Sequence, residues 1–339
     1  MNTTIIEIKG PHERDKILQA ARFIVEGHTV VFPTETVYGI GADAFNAGAV
    51  KKIFETKNRP QDNPLIVHIA TFEQFLEISS MADEQLLEVL RKFWPGPLTV
   101  IVPHKGNIPA MVTTGLPTVG IRMPGHIVAR EIIKESGRPV AAPSANFSGE
   151  PSSTRFEHVL QDFQGKVPCI VKSFEPEIGM ESTVLDVTSQ PWRILRPGYI
   201  SAKEISDFSG LPVVYAKKSD GDKPLSPGMK YRHYAPKKPL FVFSSDSPEE
   251  LLKALFQTKK PKRFWIVSKD FPIETYFSPQ DTVINYHDGE DLIKNLYYWL
   301  KESDRLNPDY ILLEYPEGLS PEKDILLRNR LEKAANEFL

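Results

Sequence analysis

The stretch TVLDVTSQPWRIL, Thr183–Leu195, decides the fold class. Two strand-like runs, Thr183–Val187 and Arg193–Leu195, stand here with only a turn-forming link between them. A purely doubly wound sheet would place a helix between such strands. Late strands without intervening helices therefore predict a mixed sheet with flanking helices.

Working outward, the apolar runs predict further strands at Thr29–Phe32, Leu65–Ile69, Leu98–Val102, Thr118–Arg122, Val140–Ala142 and Cys169–Lys172. Helical periodicity marks Arg14–Glu26, Ala49–Thr56, Phe72–Phe93, Ile127–Glu135, Phe156–Phe163 and Ala202–Phe208. Residues 1–208 thus read as one α/β domain. Residues 209–237 are rich in Gly and Pro without periodicity and read as a linker, although Tyr231–Tyr234 bunches side chains suited to docking. Residues 238–339 return to alternation: strands at Leu240–Phe243, Arg263–Val267, Thr282–Tyr286 and Tyr310–Glu314, and helices at Pro248–Phe256, Gly289–Lys301 and Pro321–Asn336. This predicts a smaller Rossmann-like α/β domain, without the G-x-G-x-x-G that a dinucleotide role would need.

The 339 residues suit two domains, and 41% apolar with 25% charged residues is a globular balance. No apolar run is long enough for a membrane span, and MNTTIIEIKG lacks the signature of a secretory signal, so a cytoplasmic location is expected. The single cysteine, Cys169, excludes a disulfide framework and a cysteine-built zinc site. Net charge is −3, with a basic island of 6 Lys+Arg against 2 Asp+Glu at 211–237. A nucleic-acid clamp shows a broader basic face, so strong direct nucleic-acid binding is not expected.

Walker, kinase, zincin and hydrolase motifs are missing, and the eight histidines show no metal-ligand spacing. What stands out is a set of polar, Gly/Pro-stiffened loops, each abutting a strand. In FPTETVYGIGADA (Phe32–Ala44), Pro33 ends a strand and Gly39 and Gly41 permit a sharp turn. A β-to-helix turn with capping threonines is an equally simple reading. In KNRPQDNPL (Lys57–Leu65), an extended segment before Pro60 would project Lys57 and Arg59 to one side, suited to polyphosphate. A solvated helix end is the alternative. GIRMP (Gly120–Pro124) puts Arg122 at a strand end. AAPSANFSGEPSST (Ala141–Thr154) offers Ser144, Asn146, Ser148 and Ser152. GMESTVLD (Gly179–Asp186) leads towards RILRPG, with Arg196 at another strand end. Together they describe an anion-binding cleft.

PTETVYGIG, KNRPQDNPL, WPGPLT, TVGIRMP, APSAN, ESTVLD and LRPG, in that order, resemble the two-domain threonylcarbamoyl-AMP synthases, whose N-terminal part is the YrdC-like domain. SPGMKYRHYAP (Ser226–Pro236) resembles the linker motif of that family. The resemblance implies a reaction of L-threonine, bicarbonate and ATP, with Mg²⁺ accompanying the nucleotide. The products would be threonylcarbamoyl-AMP and pyrophosphate, and the adenylate would pass to the machinery that modifies the tRNA adenosine beside the anticodon. It also implies site residues: Lys57 and Arg59 at the chemistry; Arg59, Asn63, Thr118, Ser144, Asn146, Ser152, Arg196 and Tyr231 on ATP. Thr36, His68, Arg122, Ala142 (by its backbone) and Ser182 would hold threonine. Tyr231, Arg232, His233 and Tyr234 would close over the nucleotide as a lid. An RNA-binding or ribosome-maturation role is the alternative, opposed by the near-neutral balance of residues 1–210. A hydrogenase-maturation carbamoyl transferase would need zinc-finger cysteines that the chain lacks.

Overall fold

The computed structural model describes residues 1–216, 233–244, 263–269 and 281–338. The chain divides into two units, one of Met1–Ser148 with Ser152–Tyr231, the other of Gly149–Pro151 with Arg232–Leu339.

The first unit is built on a sheet of eleven strands. They are β1 (Thr4–Glu7), β2 (Val30–Pro33), β3 (Tyr38–Asp43), β4 (Ile66–His68), β5 (Leu98–Pro103), β6 (Thr118–Arg122), β7 (Val140–Ala141), β8 (Cys169–Lys172), β9 (Thr183–Asp186), β10 (Trp192–Arg196) and β11 (Val213–Tyr215). Their order is β1-β8-β2-β3-β7-β4-β6-β5-β9-β10-β11. Parallel pairs such as β4 with β6 occur beside antiparallel pairs such as β9 with β10, so the sheet is mixed, as the helix-free link at 187–191 predicts.

Both faces are covered, which is why β2 reads VVFP without a polar residue. Val31 belongs on one side to a core cluster that also holds Ile53, Phe75, Leu90 and Phe163. Val30 and Phe32 point the other way, onto Ile17, Ile24, Ile132 and Ile133 of α1 (Arg14–Val25) and α6 (Ile127–Ser136).

The structure differs from the sequence reading in several places. Tyr38–Asp43, read as a turn, is a buried strand antiparallel to β2, in the register Pro33↔Tyr38. Gly41 serves close packing instead: a Cβ there would lie 2.5 Å from Val140 Cγ1. The helix predicted over Phe72–Phe93 is two helices, α3 (Phe72–Ile78) and α4 (Glu84–Phe93). Asp83 caps the second by accepting from Leu86 N–H at 3.0 Å. Val213–Tyr215, inside the stretch read as linker, adds an edge strand parallel to β10. Short elements at Thr4–Glu7 and Ala110–Thr113 carry too few residues for periodicity to show.

In the second unit, β12 (Leu240–Phe243), β13 (Phe264–Ser268), β14 (Thr282–Asn285), β15 (Tyr310–Glu314) and β16 (Glu337–Phe338) pair in parallel, in the order β14-β13-β15-β12-β16. Phe243, Phe264, Ile266 and Leu312 form a core cluster of this sheet. Tyr234 is buried here, its ring stacked on Tyr297 at 5.1 Å with the Arg330 guanidinium 5.6 Å from its centre. The helix predicted at Pro248–Phe256 lies outside the described residues, as do Tyr231 and Arg232 of the expected lid. Among the described residues no helix is long and apolar enough to cross a membrane.

Candidate active site

Residues from the five polar loops form three bonded groups around β4, β6 and β10. The first begins at the helix Ala47–Lys57, which runs through Lys57 and stops because Asn58 turns left-handed (φ 51°). Lys57 is therefore helical and buried, with 1% of its surface exposed, and does not project beside Arg59 from an extended chain. Its ammonium donates to the carbonyls of Ser144, at 2.6 Å, and Asn146. Arg59, past the turn, donates from Nε to Asn63 O (3.2 Å) and from Nη2 to Pro64 O (2.9 Å). Asn63 is buried, and its Oδ1 has no hydrogen-bond partner. Ser144 Oγ donates to Asn146 Oδ1 at 2.5 Å, and Ser144 bridges Gly39 of β3.

The second group gathers on adjacent strands. His68 ends β4 and Arg122 ends β6, and the two are register partners. The β2–β3 turn brings Glu35 to Arg122, Nη2 to Oε1 at 2.6 Å, while Arg122 Nε donates to Gly96 O at 3.3 Å. Burial works against the Glu35 carboxylate, but the Arg122 guanidinium and the Gly125 N–H outweigh it and hold its pKa below the ordinary value. Thr36 lies wholly buried in the same turn, its hydroxyl 2.8 Å from that of Thr34. Ala142 joins through its backbone, its N–H donating to Ile66 O at 2.9 Å.

The third group centres on Ser182. Arg196 donates to Ser182 O from Nε (3.2 Å) and Nη2 (3.0 Å), and Nη2 lies 3.1 Å from Ser182 Oγ. That hydroxyl is 2.8 Å from Thr99 Oγ1, and Thr99 is the β5 register partner of Arg122. Gly198 of LRPG lets this loop close, since a Cβ there would sit 2.1 Å from Thr183 N. Ser152 Oγ donates to Glu181 Oε1 at 2.7 Å.

Direct bonds thus link Lys57 with Ser144 and Asn146, and Ser182 with Arg196, while strand register sets His68 beside Arg122. Thr118 lies at the opposite end of β6 from Arg122, roughly 13 Å away by strand rise. Tyr231 lies outside the described residues. Sequence reasoning gave no role to Thr99 or Glu181, and it set Glu35 in a polar cluster at a strand end without giving it a partner. The signal for Glu35 was available: a lone carboxylate among threonines, in a chain whose other strand-end loops carry cations.

His68 is fully buried, and its Nδ1 has no hydrogen-bond partner. Burial, with Arg122 adding and Glu35 opposing, pushes its pKa down to about 3. The ring is neutral at physiological pH, able to share a hydrogen bond with a ligand without adding charge. Below the unfolded value of about 6.5, the unfolded chain takes up a proton that the folded chain refuses, so stability falls as pH drops towards 3. His68→Gln removes this linkage. From pH 6.5 to 5 the wild type should lose between about 1 and 2 kcal/mol more stability than the variant, the slope rising towards about 1.4 kcal/mol per pH unit as the unfolded ring becomes fully protonated. Denaturant titrations at both pH values test this; parallel losses would refute it.

Two family models match the chain: one described as "Telomere recombination" over residues 22–198, the other as "Threonylcarbamoyl-AMP synthase, C-terminal domain" over residues 200–336. The threonylcarbamoyl-AMP synthase of Pyrococcus abyssi is 44% identical over 344 residues, covering 98% of each chain. That of Bacillus subtilis is 41% identical over 326 residues, covering 94% of this chain and 93% of its own. The crystal structure of P. abyssi Sua5 complexed with L-threonine matches with a TM-score of 0.90 at 40% identity, over 99% of this chain and 100% of that one. With both halves matched in order and relatives aligned almost end to end, the chain belongs to the threonylcarbamoyl-AMP synthase family.

Proposed function

We propose that the chain is an L-threonylcarbamoyladenylate synthase, a nucleotidyltransferase that turns L-threonine, bicarbonate and ATP into threonylcarbamoyl-AMP and pyrophosphate. The observation that carries the reading is the linked set Arg122–Thr99–Ser182–Arg196, beside the loop held by Lys57, in a chain 44% identical to a synthase of that name. The set offers guanidinium and hydroxyl donors and no serine, cysteine or lysine poised as a nucleophile.

The chemistry needs none. The threonine nitrogen, once its ammonium has given up a proton, attacks the carbon of bicarbonate or of CO₂ formed from it, giving a carbamate while the lost bicarbonate oxygen leaves as water and a proton passes to solvent. A carbamate oxygen then attacks the α-phosphorus and pyrophosphate leaves. The protein positions the reactants and supplies fixed positive charge. In this reading Arg122 takes the threonine carboxylate, Thr36, His68, Ser182 and the Ala142 backbone fix the rest of the amino acid, and neutral His68 avoids a second cation beside Arg122. Arg59, Asn63, Thr118, Ser144, Asn146, Ser152, Arg196 and Tyr231 would contact the nucleotide, and Lys57 would hold the Ser144–Asn146 loop in shape for it.

Magnesium entering with ATP would neutralise part of the phosphate charge. Among the described residues no group of three or more His, Cys, Asp or Glu side chains is placed to hold a metal. The adenylate would be consumed by a cytoplasmic enzyme that transfers the threonylcarbamoyl group to tRNA. Pyrophosphate release with each substrate omitted in turn tests the proposal. Release should require threonine and bicarbonate together, and release from ATP alone at the full rate would overturn it.

A further inference from the structure

A buried carboxylate beside the arginine that receives a substrate carboxylate is an unexpected neighbour, because it competes for the same guanidinium. Glu35 is nevertheless built into that place. Its backbone carbonyl accepts the N–H groups of Glu177 (3.1 Å) and Ile178 (2.9 Å), which fixes the turn. Its carboxyl group lies against Gly125, where a Cβ would come within 3.2 Å of the carboxyl carbon. Its Oε1 is 2.6 Å from Arg122 Nη2, with the two side chains 12% and 5% exposed. The other titratable neighbours whose charge the carboxylate feels, His68 and His126, are both pushed towards the neutral form by burial. Glu35 and Arg122 therefore dominate the local charge, and they cancel.

An unpaired arginine in this place would attract any carboxylate, and a simple monoanion would gain as much from it as an amino acid. With Glu35 beside it the Arg122 end of the pocket carries a dipole and no net charge, the Arg196 guanidinium lying beyond Thr99 and Ser182. A monoanion is then drawn by Arg122 and repelled by Glu35. A zwitterion can align its carboxylate with Arg122 and its α-ammonium with Glu35, two opposed dipoles side by side. The same carboxylate suits the carbamate N–H that remains after the nitrogen is acylated.

We infer that Glu35 is a specificity-determining residue, which through its ion pair with Arg122 makes the amino-acid site select an α-amino acid over a carboxylate lacking the amine. The inference rests on the proposal that Arg122 takes the threonine carboxylate. It is tested by calorimetric binding, in the presence of ATP without bicarbonate, of threonine and of 2,3-dihydroxybutanoate, which replaces the ammonium by a hydroxyl. The wild type should prefer threonine by about tenfold or more, the effect of one charge-assisted contact. In Glu35→Gln that ratio should fall towards one, while Glu35→Asp, which keeps the charge, should retain a preference. If Glu35 merely positions Arg122, Glu35→Gln weakens both ligands equally, and an unchanged ratio overturns the inference.

The wild type alone offers a second measurement that does not depend on the variant folding. Dihydroxybutanoate should compete with threonine at least about tenfold less well than threonine itself binds. Equal competition overturns the inference and leaves the site assignment standing. A wild type that binds neither ligand overturns both.

Discussion

Replacing Lys57 with methionine is expected to lower kcat/KM for threonylcarbamoyl-AMP formation on the order of 10²-fold, although the ammonium is directed at the protein's own backbone. Methionine keeps the length and apolar stem of the side chain and removes its donors. The carbonyls of Ser144 and Asn146, which share the ammonium, then face a buried thioether. The segment between them carries the Ser144 hydroxyl bonded to Asn146 Oδ1, and it pairs with Gly39 of β3. Once the carbonyls turn to find other donors, the hydroxyl and amide meant for the nucleotide move with them. A shift of about 1 Å in such groups is enough for the rate loss given above. Leaving two buried acceptors unsatisfied should also cost roughly 2–4 kcal/mol of stability. Pyrophosphate-release kinetics with a denaturant titration measure both. Turnover within a few-fold of wild type would show that the bonds from Lys57 do not set the loop.

That role was illegible from the sequence for a definite reason. KNRPQDNPL shows two cations in a stiff segment, and composition alone leaves them between a solvated helix end and a pair projected together at a ligand. What separates them is the left-handed Asn58: before it Lys57 is still helical and buried, and after it Arg59 curls onto Asn63 and Pro64. The acceptors of Lys57 lie 87 and 89 residues away in sequence, and Glu35 lies 87 residues from Arg122. Partners so distant leave no trace in local pattern. The residue types at strand ends were legible because each strand end is a local event, whereas their pairing is a property of the sheet order.

The fold divides along the same line. Thr118–Arg122, Cys169–Lys172 and Phe156–Phe163 form over the residues that periodicity marks, since each buries its own apolar run. The strand Tyr38–Asp43 escaped because glycine is poor at strand formation in general. Here the space between Phe32, Val140 and Ala142 leaves Gly41 no room for a side chain. The break between Ile78 and Glu84 escaped because Ile78 and Val89 face one core, so the apolar pattern continues across two helices.

Arg122→Gln separates the two uses of this ion pair. Glutamine leaves the Glu35 carboxylate buried without its cation, and removing one member of a buried pair typically costs 3–5 kcal/mol. The desolvation that already opposes the Glu35 charge would then act without its main counterweight, raising the carboxyl pKa. In the wild type the lowered pKa means that the pair's contribution is present above the unfolded carboxyl value of about 4.3 and is lost as pH falls through the folded one. In the variant the sign reverses: Glu35 takes up a proton more readily folded than unfolded, so mild acid should narrow the stability gap to wild type. Adding Glu35→Gln to Arg122→Gln removes the stranded charge and should restore most of the lost stability at neutral pH, without acid. Threonine use should remain impaired on the order of 10²-fold in both variants, as a rise in KM for threonine with the KM for ATP little changed, because the carboxylate's partner is gone in each. Equal recovery of stability and threonine use in the double variant would mean that Arg122 serves only to neutralise Glu35, and the threonine carboxylate would have to be held elsewhere.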